Sequence, residues 1–190
     1  VQARILVNAA GAWADTIAAM AGAAPIGLVP MRRTALLFEP PPGIETASWP
    51  LVDGIDESFY FKPDAGRIFA SPADETPSAP CDARPEELDI AIAIENLQVF
   101  ADLPVRRIVH SWAGLRSFVA DRNPVVGFDP VLPDFFWLAA QGGYGFQTAP
   151  AMAASAAALI TGDKLPARLN DLGVTAEDLS PARPGLRRTP

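Results

Sequence analysis

Three groups of residues in this chain have the types and spacing for chemistry. The first is the loop Gly142-Gly143-Tyr144-Gly145-Phe146-Gln147-Thr148. It follows an apolar run, Phe135–Ala140, that reads as a buried strand. It leads through Thr148-Ala149-Pro150 into a helix of small residues that Gly162 should stop. Strand, glycine loop and helix N-terminus together present bare backbone N–H groups, which suit electron-rich oxygen or nitrogen atoms of a ligand. The second is Arg116, in the run Trp112-Ala113-Gly114-Leu115-Arg116. A guanidinium can grip a carboxylate with two parallel charge-assisted hydrogen bonds. The third is Asn8-Ala9-Ala10-Gly11-Ala12-Trp13, which closes an apolar strand with a glycine turn.

Other candidates point away from chemistry. Gly143, Gly145 and Thr148 give G-x-G-x-x-T, and Asp163 sits in a turn rather than at the end of a second strand, so this is not the dinucleotide fingerprint. His110 is the only histidine and reads as structural. Cys81 is the only cysteine, in a Pro-rich loop, with no disulfide to make and no catalytic role expected. No cluster of His, Cys or acidic residues has metal-ligand spacing, so no metal is expected. Arg32 and Arg33 could place one guanidinium in an active site but read rather as a solvated strand face, and Tyr60, between Phe59 and Phe61, reads as core or sheet-face packing.

The elements that must position these groups come in a discontinuous order. The segment Val1–Ala10 reads as a strand with Ile5, Leu6 and Val7 at its centre. Its near-continuous apolar run predicts burial on both faces beside parallel neighbours that this stretch of sequence does not supply, hence a truncated N-terminus. Residues 12–21 predict a helix with Trp13, Ile17 and Met20 on one row. Residues 29–119 read as an antiparallel sheet: a strand over Val29–Phe38, a hairpin of Ser58–Lys62 and Arg67–Ser71 around Pro63-Asp64-Ala65-Gly66, and a long strand over Val105–Val119 bent at Gly114. A helix over Glu86–Ala101 interrupts them, with Leu88, Ile92, Glu95 and Val99 on one row and Ile90, Ile94 and Leu97 on a wider apolar side. Strands Val125–Phe128 and Phe135–Ala140 follow, and from Leu165 a Pro- and Arg-rich tail is expected to wrap the surface or lie loose. The expected domains are therefore one built from residues 1–28 and 120–164, a second inserted over residues 29–119, and a tail over 165–190.

Composition limits the partners. A net charge of −7 opposes nucleic-acid and anionic-membrane binding. Hydrophobic residues at 49% and charged residues at 19% suffice for a real core. No run approaches the roughly 18 apolar residues of a membrane span. The oligomeric state is not legible.

With these motifs in view, the chain resembles a family. Asn8-Ala-Ala-Gly-Ala-Trp-Ala-Asp15 is similar to the V-N-A-A-G-x-W-A segment of D-amino-acid-oxidase-like flavoenzymes, which include glycine and sarcosine oxidases and D-amino-acid dehydrogenases. Trp112-Ala-Gly-Leu-Arg116 followed by Asp121-Arg-Asn-Pro-Val-Val-Gly127 is similar to the family's W-x-G-x-R…PD-x-x-P-x-x-G segment, and Gly142–Pro150 to its C-terminal flavin loop. The order is the family's. The resemblance implies the C-terminal portion of such an enzyme: an antiparallel substrate-domain sheet with a long helix, plus pieces of a Rossmann-like FAD-binding domain. The implied reaction is hydride transfer to flavin N5 from a carbon bearing an amine or hydroxyl. The implied partner is a small-molecule substrate, a D-amino acid, an N-methyl amino acid, glycine or a 2-hydroxy acid, and the implied compartment is cytoplasmic, peripheral to a membrane if the enzyme is a dehydrogenase. Arg116 and Tyr144 are the implied catalytic residues. Asn8, Ala10, Gly11, Trp13, Gly114, Arg116, Gly142, Gly143, Tyr144, Gly145, Phe146, Gln147 and Thr148 are the implied FAD contacts, with the loop N–H groups stabilising negative charge on the reduced ring. The family's N-terminal G-x-G-x-x-G is absent from this stretch, which on its own should bind FAD weakly or not at all. The alternative is a non-catalytic module that uses the glycine loop to bind a ligand or a partner subunit.

Overall fold

A computed structural model describes residues 2–186; the expected start of the first strand at Val1 and the last residues of the tail lie outside them. The chain divides into two units. One takes the described residues up to Pro30 and from Arg116 onward, and the other takes Met31–Leu115. The chain passes between them along two strands, β2 (Val29–Phe38) and β7 (Ile108–Phe118). The architecture is the mixed α/β one that the sequence predicts.

The first unit is built on a three-stranded sheet in the order β1 (Leu6–Asn8), β9 (Phe135–Ala139), β8 (Val125–Phe128). β9 is central, parallel to β1 (Leu6 opposite Phe135, Asn8 opposite Trp137) and antiparallel to β8 (Val126 opposite Leu138). Its unbroken apolar sequence follows from that position, because both of its faces are covered. Phe135 and Trp137 pack on one face with Ala14, Ala18, Ile26 and Leu28. Phe136 packs on the other with Ala156, Leu165 and Leu179.

β1 does not share this burial. It is an edge strand among the described residues, and Leu6 and Val7 remain 48% and 42% exposed. The expected strand Val1–Ala10 shrinks to three residues, and its partner is β9, supplied from the far end of the chain. A short 3-10 turn, Gly11–Trp13, follows, then α1 (Ala14–Ala21), which ends on Gly22 in the left-handed region. The expected apolar row is not the buried one: α1 packs through Ala14 and Ala18, while Trp13 and Met20 face outward. Small residues let the helix approach the sheet closely, and the large ones do not fit there. The Asp15 carboxylate accepts the N–H groups of Ile26 and Leu28 and ties down the connection to β2.

α3 (Gly145–Thr161) covers the second face and ends at Gly162, which takes the left-handed conformation (φ 80°). The described part of the tail is not loose. Short helices α4 (Ala167–Asp171) and α5 (Ala176–Leu179) bury Leu165, Leu169 and Leu179, and a Thr175–Asp178 capping box fixes the start of α5. Arg183 is buried. It donates through Nε and Nη2 to the two oxygens of Asp121 (2.7 and 2.9 Å), through Nη2 to the Asn123 carbonyl and through Nη1 to the Pro124 carbonyl.

The second unit is a six-stranded sheet. Strands run in the order β3 (Val52–Asp53), β4 (Tyr60–Asp64), β5 (Arg67–Ser71), β2, β6 (Thr76–Pro77), and β7 also pairs with β2. The β4–β5 hairpin is in the expected place but turns on Ala65-Gly66, both with positive φ, so Pro63 and Asp64 belong to the strand. β7 runs through Gly114 without interruption. α2 (Glu87–Ala101) packs Ala93 and Leu97 on Leu36, Phe38, Phe61, Ile68 and Ala70. Burying Leu97 completely contributes about 2 kcal/mol. Of the two sides read from the sequence, the wider apolar one carries the buried Leu97 with Ile90 and Ile94 half-buried, and the row Leu88, Ile92 and Val99 lies exposed on the other. The inner face is set by a polar anchor: Asp89 is buried and accepts from Arg32 (2.9 Å). Arg32 also pairs with Glu86, and that hydrogen bond, with the charge of Asp89, holds its guanidinium above its ordinary pKa. Arg33 donates to the Asp74 carbonyl (2.7 Å) and to Glu75. The expected solvated face at Arg32 and Arg33 is therefore a half-buried ion-pair network around the buried Asp89.

Candidate functional site

β1 and β9 are adjacent and parallel, so their carboxyl ends lie at the same end of the sheet. β1 opens there into Asn8–Gly11 and β9 into Ala140–Tyr144, and each loop leads into a helix. Crevices beyond the carboxyl ends of parallel strands are where α/β sheets bind ligands.

Asn8 is 2% exposed. Its Nδ2 donates to the Ala14 carbonyl (2.8 Å) and its Oδ1 accepts the Ala10 N–H (3.3 Å). The side chain thus braces the turn through Ala10 and Gly11, and what this loop offers outward is backbone. Trp13 stands half-exposed beyond it.

The second loop is more tightly drawn than the sequence suggests. α3 begins at Gly145, not Thr148, and Pro150 lies inside it. Three N–H groups expected to be free are engaged: Gly142 donates to the Ser117 carbonyl (2.9 Å), Tyr144 to Gln141 (3.2 Å) and Thr148 to Tyr144 (3.0 Å). The Thr148 hydroxyl also donates to the Tyr144 carbonyl (2.8 Å). Because the Thr148 bond is the first of the helix, the N–H groups of Gly145, Phe146 and Gln147 form its open first turn, at the positive end of a 17-residue dipole. Tyr144 and Phe146 flank this turn with exposed rings.

Arg116 belongs to the same unit, at the end of β7, and its guanidinium lies directly against Gly143. A Cβ at Gly143 would come within 2.5 Å of Arg116 Nη1. Beneath it is Phe118, buried, with the Arg116 guanidinium 5.2 Å and the Arg122 guanidinium 4.0 Å from its ring centroid. Gly142 takes a positive φ of 56°, and a Cβ there would sit 2.8 Å from the Phe118 ring. The fold thus brings together Asn8, Ala10, Gly11, Trp13, Arg116 and Gly142–Thr148 in one unit, while Gly114 and Trp112 belong to the other.

Sequence reasoning missed Phe118 and the Asp121–Arg183 pair. Nothing in the local pattern marks either; both depend on contacts between segments distant in sequence. It also missed an aromatic ladder on the sheet face of the second unit opposite α2. Tyr60, Phe69, Trp112 and His110 follow one another at centroid distances of 5.9, 5.7 and 5.5 Å, with Arg33 over Tyr60 and Lys62 over Phe69. The signal for it was alternation, with His110 and Trp112 two apart on β7 and Tyr60 and Lys62 two apart on β4.

Comparison with known proteins gives a consistent picture. The model of a family described as FAD dependent oxidoreductase (DAO) matches residues 1–159. The chain is 28% identical to FAD-dependent oxidoreductase domain-containing protein 1 of Bos taurus, over 84% of its own length and 36% of that protein. Among solved structures it is similar to L-proline dehydrogenase from P. horikoshii, with a TM-score of 0.72 and 28% identity over 93% of this chain and 46% of that one. It shares a fold with glycine oxidase from Geobacillus kaustophilus, with a TM-score of 0.71 and 21% identity over 85% of this chain and 42% of that one. The chain spans less than half the length of each of these relatives.

Proposed function

The chain belongs to the FAD dependent oxidoreductase family, and on that premise we propose that the protein oxidises a small amino acid or related amine with FAD as acceptor. The observation that carries this reading is the Arg116 guanidinium seated against Gly143, beside the open first turn of α3. The donor set fits a flat, electron-rich ring: glycine backbone with no side chain in the way, and N–H groups at a positive helix end. In this reading Gly142–Gln147, with the turn at Ala10 and Gly11, holds part of the cofactor. FAD, when bound, supplies the acceptor for the hydride leaving the amine-bearing carbon.

The protein's own task is orientation. Arg116 holds the substrate carboxylate by two charge-assisted hydrogen bonds and so fixes the adjacent carbon. Tyr144 and Phe146 border the substrate side of the loop with exposed rings. Proline, the substrate named for the P. horikoshii relative, carries a carboxylate next to an amine, as this arrangement requires. The cytoplasm is the proposed compartment, in keeping with a free, exposed Cys81.

The test is a visible spectrum of the full-length protein. Flavin bands that bleach under anaerobic addition of glycine, sarcosine, D-alanine or L-proline support the reading and select the substrate class. Flavin that none of these amines bleaches overturns the substrate assignment. Arg116→Ala should raise KM by about 2 kcal/mol or more, at least roughly thirtyfold; an unchanged KM removes Arg116 from the site.

A further inference from the structure

We infer that Phe118 is a positioning residue that pre-sets the Arg116 guanidinium for an anionic substrate group. The inference rests on the reading of Arg116 as the carboxylate-binding side chain. Phe118 is 3% exposed and touches each part of the arrangement. Its ring carries the Arg116 guanidinium at 5.2 Å and that of Arg122 at 4.0 Å. Its edge fills the space a side chain at position 142 would need, 2.8 Å from a Cβ built there. Its neighbour Ser117 holds the Gly142 N–H through its carbonyl at 2.9 Å. Gly143 then closes on Arg116 from the loop side, 2.5 Å from a Cβ to Nη1. Strand end, ring, loop and guanidinium are therefore one packed unit.

A physical consequence follows. An arginine has several rotatable bonds, and holding its planar fork on a fixed ring reduces the freedom lost when it grips a ligand. Phe118 touches no reacting atom in this scheme; it acts through Arg116.

The experiment uses the full-length, FAD-loaded protein, with benzoate as the carboxylate probe and benzamide as its uncharged counterpart, each titrated against the flavin absorbance. Phe118→Leu should weaken benzoate roughly tenfold, leave benzamide within twofold, and keep the flavin spectrum. Phe118→Tyr, which restores a ring, should return benzoate to within twofold of wild type. Gly143→Ala, which pushes on Nη1 directly, should weaken benzoate as Phe118→Leu does, and it reads the same contact if the leucine variant does not load FAD. If Arg116→Ala weakens benzoate but neither Phe118→Leu nor Gly143→Ala does, the positioning role is overturned while the role of Arg116 stands. If Arg116→Ala leaves benzoate binding unchanged, or wild type shows none, the carboxylate reading fails first and this inference fails with it. Equal weakening of benzoate and benzamide in Phe118→Leu would mean general damage and would also overturn it.

Discussion

Gly142→Ala and Gly162→Ala differ in one respect, and that difference measures how firmly Phe118 is held. Both glycines have positive φ, 56° and 80°, so an alanine at either meets the left-handed penalty of about 1 kcal/mol. At Gly162 nothing among the described residues lies within 4 Å of the added Cβ, and the conformational cost is the whole effect. At Gly142 the Cβ would lie 2.8 Å from one ring carbon of Phe118 and 3.2 Å from the next. Relief to ordinary contact needs a shift of about half an ångström or more. The ring is buried and carries two guanidiniums, so such overpacking should add about 1–3 kcal/mol. The expected losses are therefore about 1 kcal/mol for Gly162→Ala and about 2–4 kcal/mol for Gly142→Ala. Urea unfolding of the full-length protein, followed by far-UV circular dichroism, reads both, provided the m-value is unchanged. Equal losses in the two variants would refute the reasoning: the ring would have yielded freely, and a ring that yields cannot seat Arg116.

Two further outcomes are expected. The hydrogen bond from Arg183 holds the Asp121 carboxyl below the usual carboxylate range, so this pair stabilises fully above an unfolded pKa of about 4 and is lost as pH falls through the lower folded value. Asp121→Asn should cost about 1–2 kcal/mol at pH 7, a few degrees in Tm, and that gap should narrow toward pH 3; a gap constant from pH 7 to 3 contradicts the linkage. On α2, Leu97→Ala should cost about 3 kcal/mol, whereas Leu88→Lys on the outer row should stay within about 0.5 kcal/mol; thermal melts showing the reverse order would mean that the helix presents its other face to the sheet.

Much of the fold was legible because it is written in local pattern. β2 has the bounds read from the sequence, the β4–β5 hairpin sits where its turn residues put it, and Gly22 and Gly162 end their helices. What failed was the reading of α1: its larger apolar residues form the visible row, yet Ala14 and Ala18 face the sheet, whereas on α2 the wider apolar side is the one that carries the buried Leu97. Helical periodicity identifies rows but not which of two apolar rows has room against a neighbour. The same limit governs the site. Gly142–Thr148 and Arg116 stand out by residue type. That three of the loop's N–H groups are engaged within the protein depends on Ser117 and on where α3 starts, and neither carries a sequence signal. The half-buried network at Arg32 was hidden for a related reason: two adjacent arginines suggest solvent until Asp89 and Asp74 arrive from elsewhere in the chain.

The parallel pairing of β1 with β9 has a consequence in time. Synthesis delivers β1 first and β9 only after the whole of Met31–Leu115 has been made. The second unit is contiguous and has its own core, so it can close while β1 still lacks its partner. β1 must then be captured across a long intervening chain, although each doubling of such a loop adds only about 0.6 kcal/mol to its closure. Until that happens, β1 lacks the β9 side of its pairing. Both loops of the candidate site hang on this last pairing, so a ligand-ready crevice exists only in a chain that has been translated through β9. A ligand that bridged the two loops would hold that late closure shut and lower the risk of misassembly at its most exposed step.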